Sequence, residues 1–178
     1  MEPQGLDRRQ RTFDALFESH FDSVYRYCLR RLGAVDAEDA AAEVFAVAWR
    51  RIDEMPGPDV ERAWLFGVAY KVVGNHFRGR RRRARLLGRL EFVRAELSDS
   101  EPAGDFLLLH LALEALRPAD RELLRLASWD RLTRGEIAAV MGIGVNAVDQ
   151  RLFRARTRLK DRLERIREDA LREKEAST

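Results

Sequence analysis

TRGEIAAVMGIGVNAVDQRLFRAR, Thr133 to Arg156, is the stretch whose reading decides the fold. Thr133 followed three residues later by Glu136 has the spacing of a capping box, in which hydroxyl and carboxylate each satisfy an orphan amide at a helix start. Ile137, Val140 and Met141 form the apolar side of that helix, and Ala138 is small enough to allow a close crossing. Gly142 ends it, Ile143 fills the corner and Gly144 is placed to cap the next helix. There Val148, Leu152, Ala155 and Leu159 recur on the inward side, leaving Asn146, Asp149, Gln150, Phe153 and Arg154 outside. Two short helices around a tight turn, the second presenting polar and basic side chains from its first turns, match a helix-turn-helix built to enter a major groove. A plain helical hairpin with a solvated charged face has the same spacing. Asp149 is the discordant residue, because its helical neighbours three and four away are Val145, Asn146, Leu152 and Phe153, none of them a cation. It reads either as an exposed acid near a positive helix end or as an acceptor for a cytosine amino group.

Composition agrees with helices throughout. In 178 residues, 46% are hydrophobic and 35% charged, with five prolines, which fits one ordinary all-α domain or two small ones. Arginine carries almost all the basic charge, the lysines being Lys71, Lys160 and Lys174. The formal net charge of +3 hides a segregation. Arg78 to Arg89 holds seven arginines and no acid; Glu91 to Asp105 holds five acids and one arginine; Val145 to Arg167 holds eight basic residues against three acids. Two basic blocks separated by an acidic spacer point to a nucleic-acid partner.

Other classes find little support. Cys28 is the lone cysteine, so no internal disulfide can form. The start, MEPQGLDRRQRTF, has no hydrophobic signal region and no apolar run approaches a membrane span, so a cytoplasmic protein without membrane insertion is expected. His20, His76 and His110 are isolated, with no metal-ligand spacing, no glycine-rich phosphate loop and no nucleophile beside a base. No enzyme activity, catalytic residue, metal or cofactor is expected.

Upstream, Phe13, Leu16, Phe17, Phe21, Val24, Tyr25, Leu29 and Leu32 recur at steps of three and four, predicting a helix from Thr12 to Gly33. Asp36 is placed to cap the next helix, in which Ala40, Val44, Val47 and Ala48 face inward. DEMPGPDV, Asp53 to Val60, reads as a loop. A third helix carries Trp64, Leu65, Val68, Ala69, Val72 and His76 and runs into the arginine block, with Gly67 and Gly74 as places where another surface could approach closely. Around SDSEPAG the apolar periodicity stops. Further helices follow from Phe106 to Leu116 and from Pro118, and the basic helix runs to about Arg172, with the charged residues from Glu168 onward expected to fray. The expected organisation is two small helical domains, residues 12–87 and 106–172, joined by a flexible linker over 88–105, the second domain containing the helix-turn-helix.

The second domain, with ALEALRPADRELLRL before LTRGEIAAVMGIGVNAVDQRLFRARTRL, resembles region 4 of bacterial extracytoplasmic-function sigma factors. The first independently resembles region 2 of the same family: DAEDAAAEVFAVAWRR is similar to its acidic helix and WLFGVAYKVVGNHFRGRRRR to its promoter-melting helix. The resemblance spans about residues 13 to 165. It implies an alternative sigma factor that binds core RNA polymerase, through the clamp of the largest subunit and the flap of the second-largest, and directs initiation at promoter DNA with −10 and −35 elements. It also implies an anti-sigma factor as partner.

Carried over position by position, Asp36, Glu38, Asp39 and Glu43 would face polymerase, although Ala42 replaces a frequent glutamine. Asn75 matches the contact to a flipped-out −10 base, an amide being suited to an unstacked base edge. Arg78, Arg80 and Arg81 would serve phosphates, with Tyr70 and Phe77 available for stacking. Tyr70 and Lys71 depart from the arginine and asparagine usual there. In the −35 helix Asp149, Gln150, Phe153 and Arg154 match base-reading positions, Arg151, Arg156 and Arg158 are better placed for phosphates, and Asn146 on the same outer face is counted among the −35 DNA-binding residues. Asp149 stands where the family usually has lysine or arginine, and Ala147 where it often has threonine. A stand-alone helix-turn-helix repressor and a protein whose arginine blocks bind an acidic partner are the competing functions.

Overall fold

A computed structural model describes the backbone of residues 3–86 and 105–176, with side chains over 7–83 and 106–172. Among the described residues every regular element is helical: α1 Pro3–Leu32, α2 Ala34–Arg50, a 3-10 turn Ile52–Glu54, α3 Pro58–Leu86, α4 Asp105–Glu114, α5 Pro118–Ser128, α6 Arg134–Met141 and α7 Val145–Ala176. The chain divides into two compact units, Met1–Ser98 and Asp99–Thr178. Most of the expected linker, 88–104, lies outside the described residues.

In the first unit α2 packs against both α1 and α3. Ala37, Ala40, Ala41 and Ala48 on α2 are buried, and their small side chains let the two longer helices approach. Val24, Tyr27, Cys28 and Leu32 of α1 and Leu65, Phe66, Ala69 and Val72 of α3 fill the remaining core. Tyr27 meets Phe66 edge-on with centroids 5.4 Å apart. Arg31 is buried with them; its guanidinium lies 3.5 Å from the Tyr27 ring centroid and donates to the Tyr27 carbonyl at 3.2 Å, which offsets the desolvation of its charge. Cys28 is fully buried among them and forms no disulfide.

Several local expectations change. α1 begins nine residues before Thr12, at Pro3. Its added turns are anchored by Arg9, whose guanidinium reaches Asp53 at 3.3 Å, the Trp49 carbonyl at 3.4 Å and the Trp49 ring face at 5.5 Å. Gly33, with φ 79°, turns the chain between α1 and α2 in the left-handed region that glycine adopts without strain. Asp36 does not cap α2, because the helix has already started at Ala34 and the cap position is Gly33. The loop is shorter than Asp53–Val60: Pro58 opens α3, where its missing N–H is one no helix would use. Among the described residues nothing crowds Gly67 or Gly74, since a Cβ at Gly67 would meet nothing within 4 Å and one at Gly74 only Arg78 Nη1 at 3.5 Å.

In the second unit α7 packs against α4, α5 and α6. Leu113, Leu123, Leu126, Ile137, Val148 and Leu152 form its core. Arg121 of α5 donates to the carbonyls of Leu113, Glu114 and Leu116 at 3.0, 2.5 and 3.2 Å, tying the turn that follows α4 to α5. Glu114 holds Arg121 at 2.6 Å and Arg125 at 3.0 Å. The capping box at Thr133 is present in both directions, Thr133 N–H to Glu136 Oε2 at 2.7 Å and Glu136 N–H to Thr133 Oγ1 at 3.3 Å. Gly142, at φ 65°, ends α6, and the N–H of Ile143 closes the turn on the Ala138 carbonyl at 3.0 Å. α7 continues to Ala176, past Glu168, as a regular helix.

Candidate nucleic-acid interface

α3 presents a row of exposed side chains beyond its buried stripe. Tyr70 and Phe77 are exposed, seven residues and thus about two turns apart, and Lys71, Asn75, Arg78 and Arg81 lie exposed among them. Aromatic faces interleaved with cations are what an unpaired nucleic-acid strand requires, for base stacking and phosphate neutralisation respectively. Asn75 is not isolated in this row, because its Oδ1 accepts a hydrogen bond from Arg78 Nη2. That leaves the Asn75 amide NH2 as a donor for a ligand.

Arg80 points elsewhere. Its Nε donates to Asp36 Oδ2 at 2.8 Å, its Nη2 pairs with the same oxygen, and Nη2 also donates to the Leu32 carbonyl at 2.8 Å. Two residues the sequence assigns to different macromolecules therefore engage each other across α2 and α3. The rest of the acidic face of α2 divides as well. Glu38 and Asp39 are exposed, whereas Glu43 Oε2 lies 3.1 Å from His76 Nε2. Trp64 is half-buried, with the Arg51 guanidinium 5.9 Å from its ring.

In α7, residues advance by about 100° each, so Asn146, Gln150 and Phe153 lie opposite the buried stripe of Val148, Leu152 and Ala155. All three are exposed, Phe153 at 72%. Arg151, Arg154 and Arg158 turn toward α5, where with Arg117 and Asp120 they line a cleft of about 240 Å³. Arg158 Nη1 is held by Asp120 Oδ2 at 2.6 Å. Asp149 and Arg156 lie on the opposite flank of the helix, both exposed. The cation that α7 lacks near Asp149 comes from α6: Arg134 Nε donates to Asp149 Oδ1. Sequence inspection misses it because the partner lies fifteen residues upstream on another helix; its signal is a basic residue directly after the capping threonine.

Among the described residues no group of three His, Cys, Asp or Glu could hold a metal ion, and no helix is long and apolar enough to cross a membrane. His20 Nε2 lies 3.2 Å from Glu61 Oε1, a contact between α1 and α3.

The two units match two family models in chain order: Sigma-70 region 2 over residues 16–83, covering α3 up to its basic row, and Sigma-70 region 4 over 106–159, covering the helix-turn-helix. The RNA polymerase sigma factor NccH of Alcaligenes xylosoxydans xylosoxydans is 30% identical over 70% of this chain and 71% of its own. The chain is an RNA polymerase sigma factor. Its relatives include the ECF RNA polymerase sigma factor BldN of Streptomyces coelicolor, 34% identical over 80% of the sigma factor and 57% of BldN. The fold of the sigma factor is that of CnrH of Cupriavidus metallidurans, solved in complex with the cytosolic domain of CnrY, with a TM-score of 0.62 at 25% identity over 87% of this chain and 89% of that one. As an alternative sigma factor it directs promoter-specific transcription initiation.

Proposed function

We propose that three exposed surfaces of the sigma factor divide this work. Glu38, Asp39 and Glu43 on α2 dock on the clamp of core RNA polymerase, and the second unit docks on the flap. Asn75, Arg78 and Arg81 of α3, with Tyr70 and Phe77, hold the melted −10 strand. Asn146, Gln150, Phe153, Arg154 and Arg156 of α7 face the −35 element, with Arg151 at the edge. Arg80 and Arg158 act mainly as structural clasps, because each is already engaged by a carboxylate within its own unit. The bond-forming chemistry belongs to polymerase; the chain supplies promoter choice and strand capture and works in the cytoplasm, where polymerase is. CnrH is seen bound to a domain of a second protein; a partner of that kind, an anti-sigma factor, would silence this chain by covering the same surfaces.

The observation that carries this division is the pairing of one basic, aromatic-bearing helix face with each unit, in the order of the two matched regions. Run-off transcription with core polymerase and genomic promoter fragments tests it. The expected result is a transcript that needs both polymerase and the sigma factor. High-affinity binding to a palindromic duplex without polymerase would instead indicate a stand-alone repressor, and undiminished transcription after removal of Arg154 and Arg156 would refute the role of α7.

A further inference from the structure

The pair Arg134–Asp149 sits on the flank of the −35-facing helix and serves no evident structural purpose. Both side chains are more than half exposed, at 57% and 51%, where an ion pair contributes little to folding. An acid on a surface that approaches a polyanion is unfavourable unless something else requires it. Arg134 is the first residue of α6, and the capping box immediately beside it fixes its backbone. From there the side chain crosses to α7 and is met by Asp149 through Nε. A guanidinium held by Nε retains two terminal amino groups in one plane, and among the described residues those of Arg134 make no hydrogen bond.

We infer that Asp149 is a positioning residue and that Arg134, which it orients, is the base-reading side chain on this flank of the recognition helix, taking a guanine of the −35 element through its two terminal amino groups. The inference rests on α7 occupying the major groove as proposed above. Guanine offers O6 and N7 as adjacent acceptors in that groove, a spacing that a planar guanidinium matches with two parallel hydrogen bonds. A phosphate needs no carboxylate to aim the arginine, and a carboxylate beside it would oppose the contact. Asp149 lies in the second turn of α7, three residues after Asn146 and four before Phe153, so the guanidinium it holds lies beside side chains of the proposed reading surface. The acid on α7 thus converts a residue of the first helix of the motif into part of the second helix's reading surface.

The test uses the full chain with core polymerase and a promoter library randomised through the −35 element, comparing the wild type with Arg134→Ala, Asp149→Ala, the double variant and Arg134→Lys. The expected result is loss of guanine preference at one and the same base pair in both single variants, by about tenfold. The double variant should be no less selective than Arg134→Ala, and lysine, which lacks the planar fork, should not restore the preference. Thermal midpoints should be unchanged, separating base reading from folding. Equal weakening at every sequence with Arg134→Ala would mark a phosphate contact and overturn the inference. So would a preference altered by Asp149→Ala but untouched by Arg134→Ala, which would mean that the carboxylate reads a base itself. Selective initiation by the wild type with no change in either variant overturns this inference alone, whereas a wild type that initiates at no promoter overturns the sigma-factor division of labour and this inference with it.

Discussion

Arg80 and Asp36 hold each other between α3 and α2, and the same guanidinium reaches the Leu32 carbonyl at the end of α1. One side chain thereby ties together the three helices of the first unit. Both partners are largely shielded, with side-chain exposures of 20% and 31%, so solvent screens the pair less than it would a surface contact.

Arg80→Ala is therefore expected to destabilise the first unit by about 1–3 kcal/mol, the range for leaving a shielded hydrogen-bond partner unsatisfied. Arg81, exposed on the next position, should show the opposite profile when changed to alanine: unchanged thermal stability and weaker capture of single-stranded −10 DNA. Thermal melts of the full chain and binding to a −10 oligonucleotide in the presence of polymerase check both. Equal melting temperatures for the two variants would contradict the distinction.

The same contrast should hold on α7. Arg158 is engaged by Asp120, whose side chain is only 14% exposed, so Arg158→Ala leaves a shielded carboxylate without its cation. A lowered melting temperature is expected. Arg156 is exposed on the other flank, and Arg156→Ala should weaken promoter binding evenly across sequences and reduce the slope of log affinity against log salt by about 1. Measurement over a salt series distinguishes these effects.

Gly142 has φ 65° and open space around its Cβ position, so Gly142→Ala brings strain without a clash. A loss of about 1–2 kcal/mol is expected from the left-handed backbone alone, and Gly142→Asn should recover part of it. Thr133→Ala removes the other end of the same helix's definition and should cost about 1 kcal/mol. Denaturant melts that placed alanine and asparagine at position 142 on equal terms would argue against the backbone explanation.

Phe153 is a large aromatic side chain left 72% exposed on the outer face of α7. Phe153→Ala should leave stability within about 0.5 kcal/mol, as for surface positions generally, while reducing initiation at promoters whose −35 element offers a thymine methyl to an apolar contact. A run-off assay on matched promoters, with and without that thymine, reads the difference.

Much of this architecture was legible in the chain because it is written in local chemistry. The capping threonine, the glycine at the end of α6 and the three-and-four spacing of Val148, Leu152 and Ala155 act within a few residues of each other, and each is found where the pattern predicts. What escaped is long-range. Asp36 has the local position of a cap, because capping is a local rule, but its partner lies 44 residues away. Arg80, in a run of arginines, was indistinguishable from Arg81 until α2 was placed beside it. The pattern that offers Arg158 to phosphate carries no sign that Asp120 meets it. The reach of α1 to Pro3 depends on Arg9 finding Trp49 and Asp53, contacts that carry no periodic signature. Charge pairs are set by which helices become neighbours, and a single helix pattern does not encode that.

The fully buried thiol of Cys28 has an experimental consequence. A thiol-reactive dye cannot attack it while α1, α2 and α3 stay closed, and the chain contains no second cysteine to compete. Pulsed labelling thus acts as a stopwatch for the opening of the first unit by itself, and lets its kinetics be followed in the intact chain without introducing a mutation.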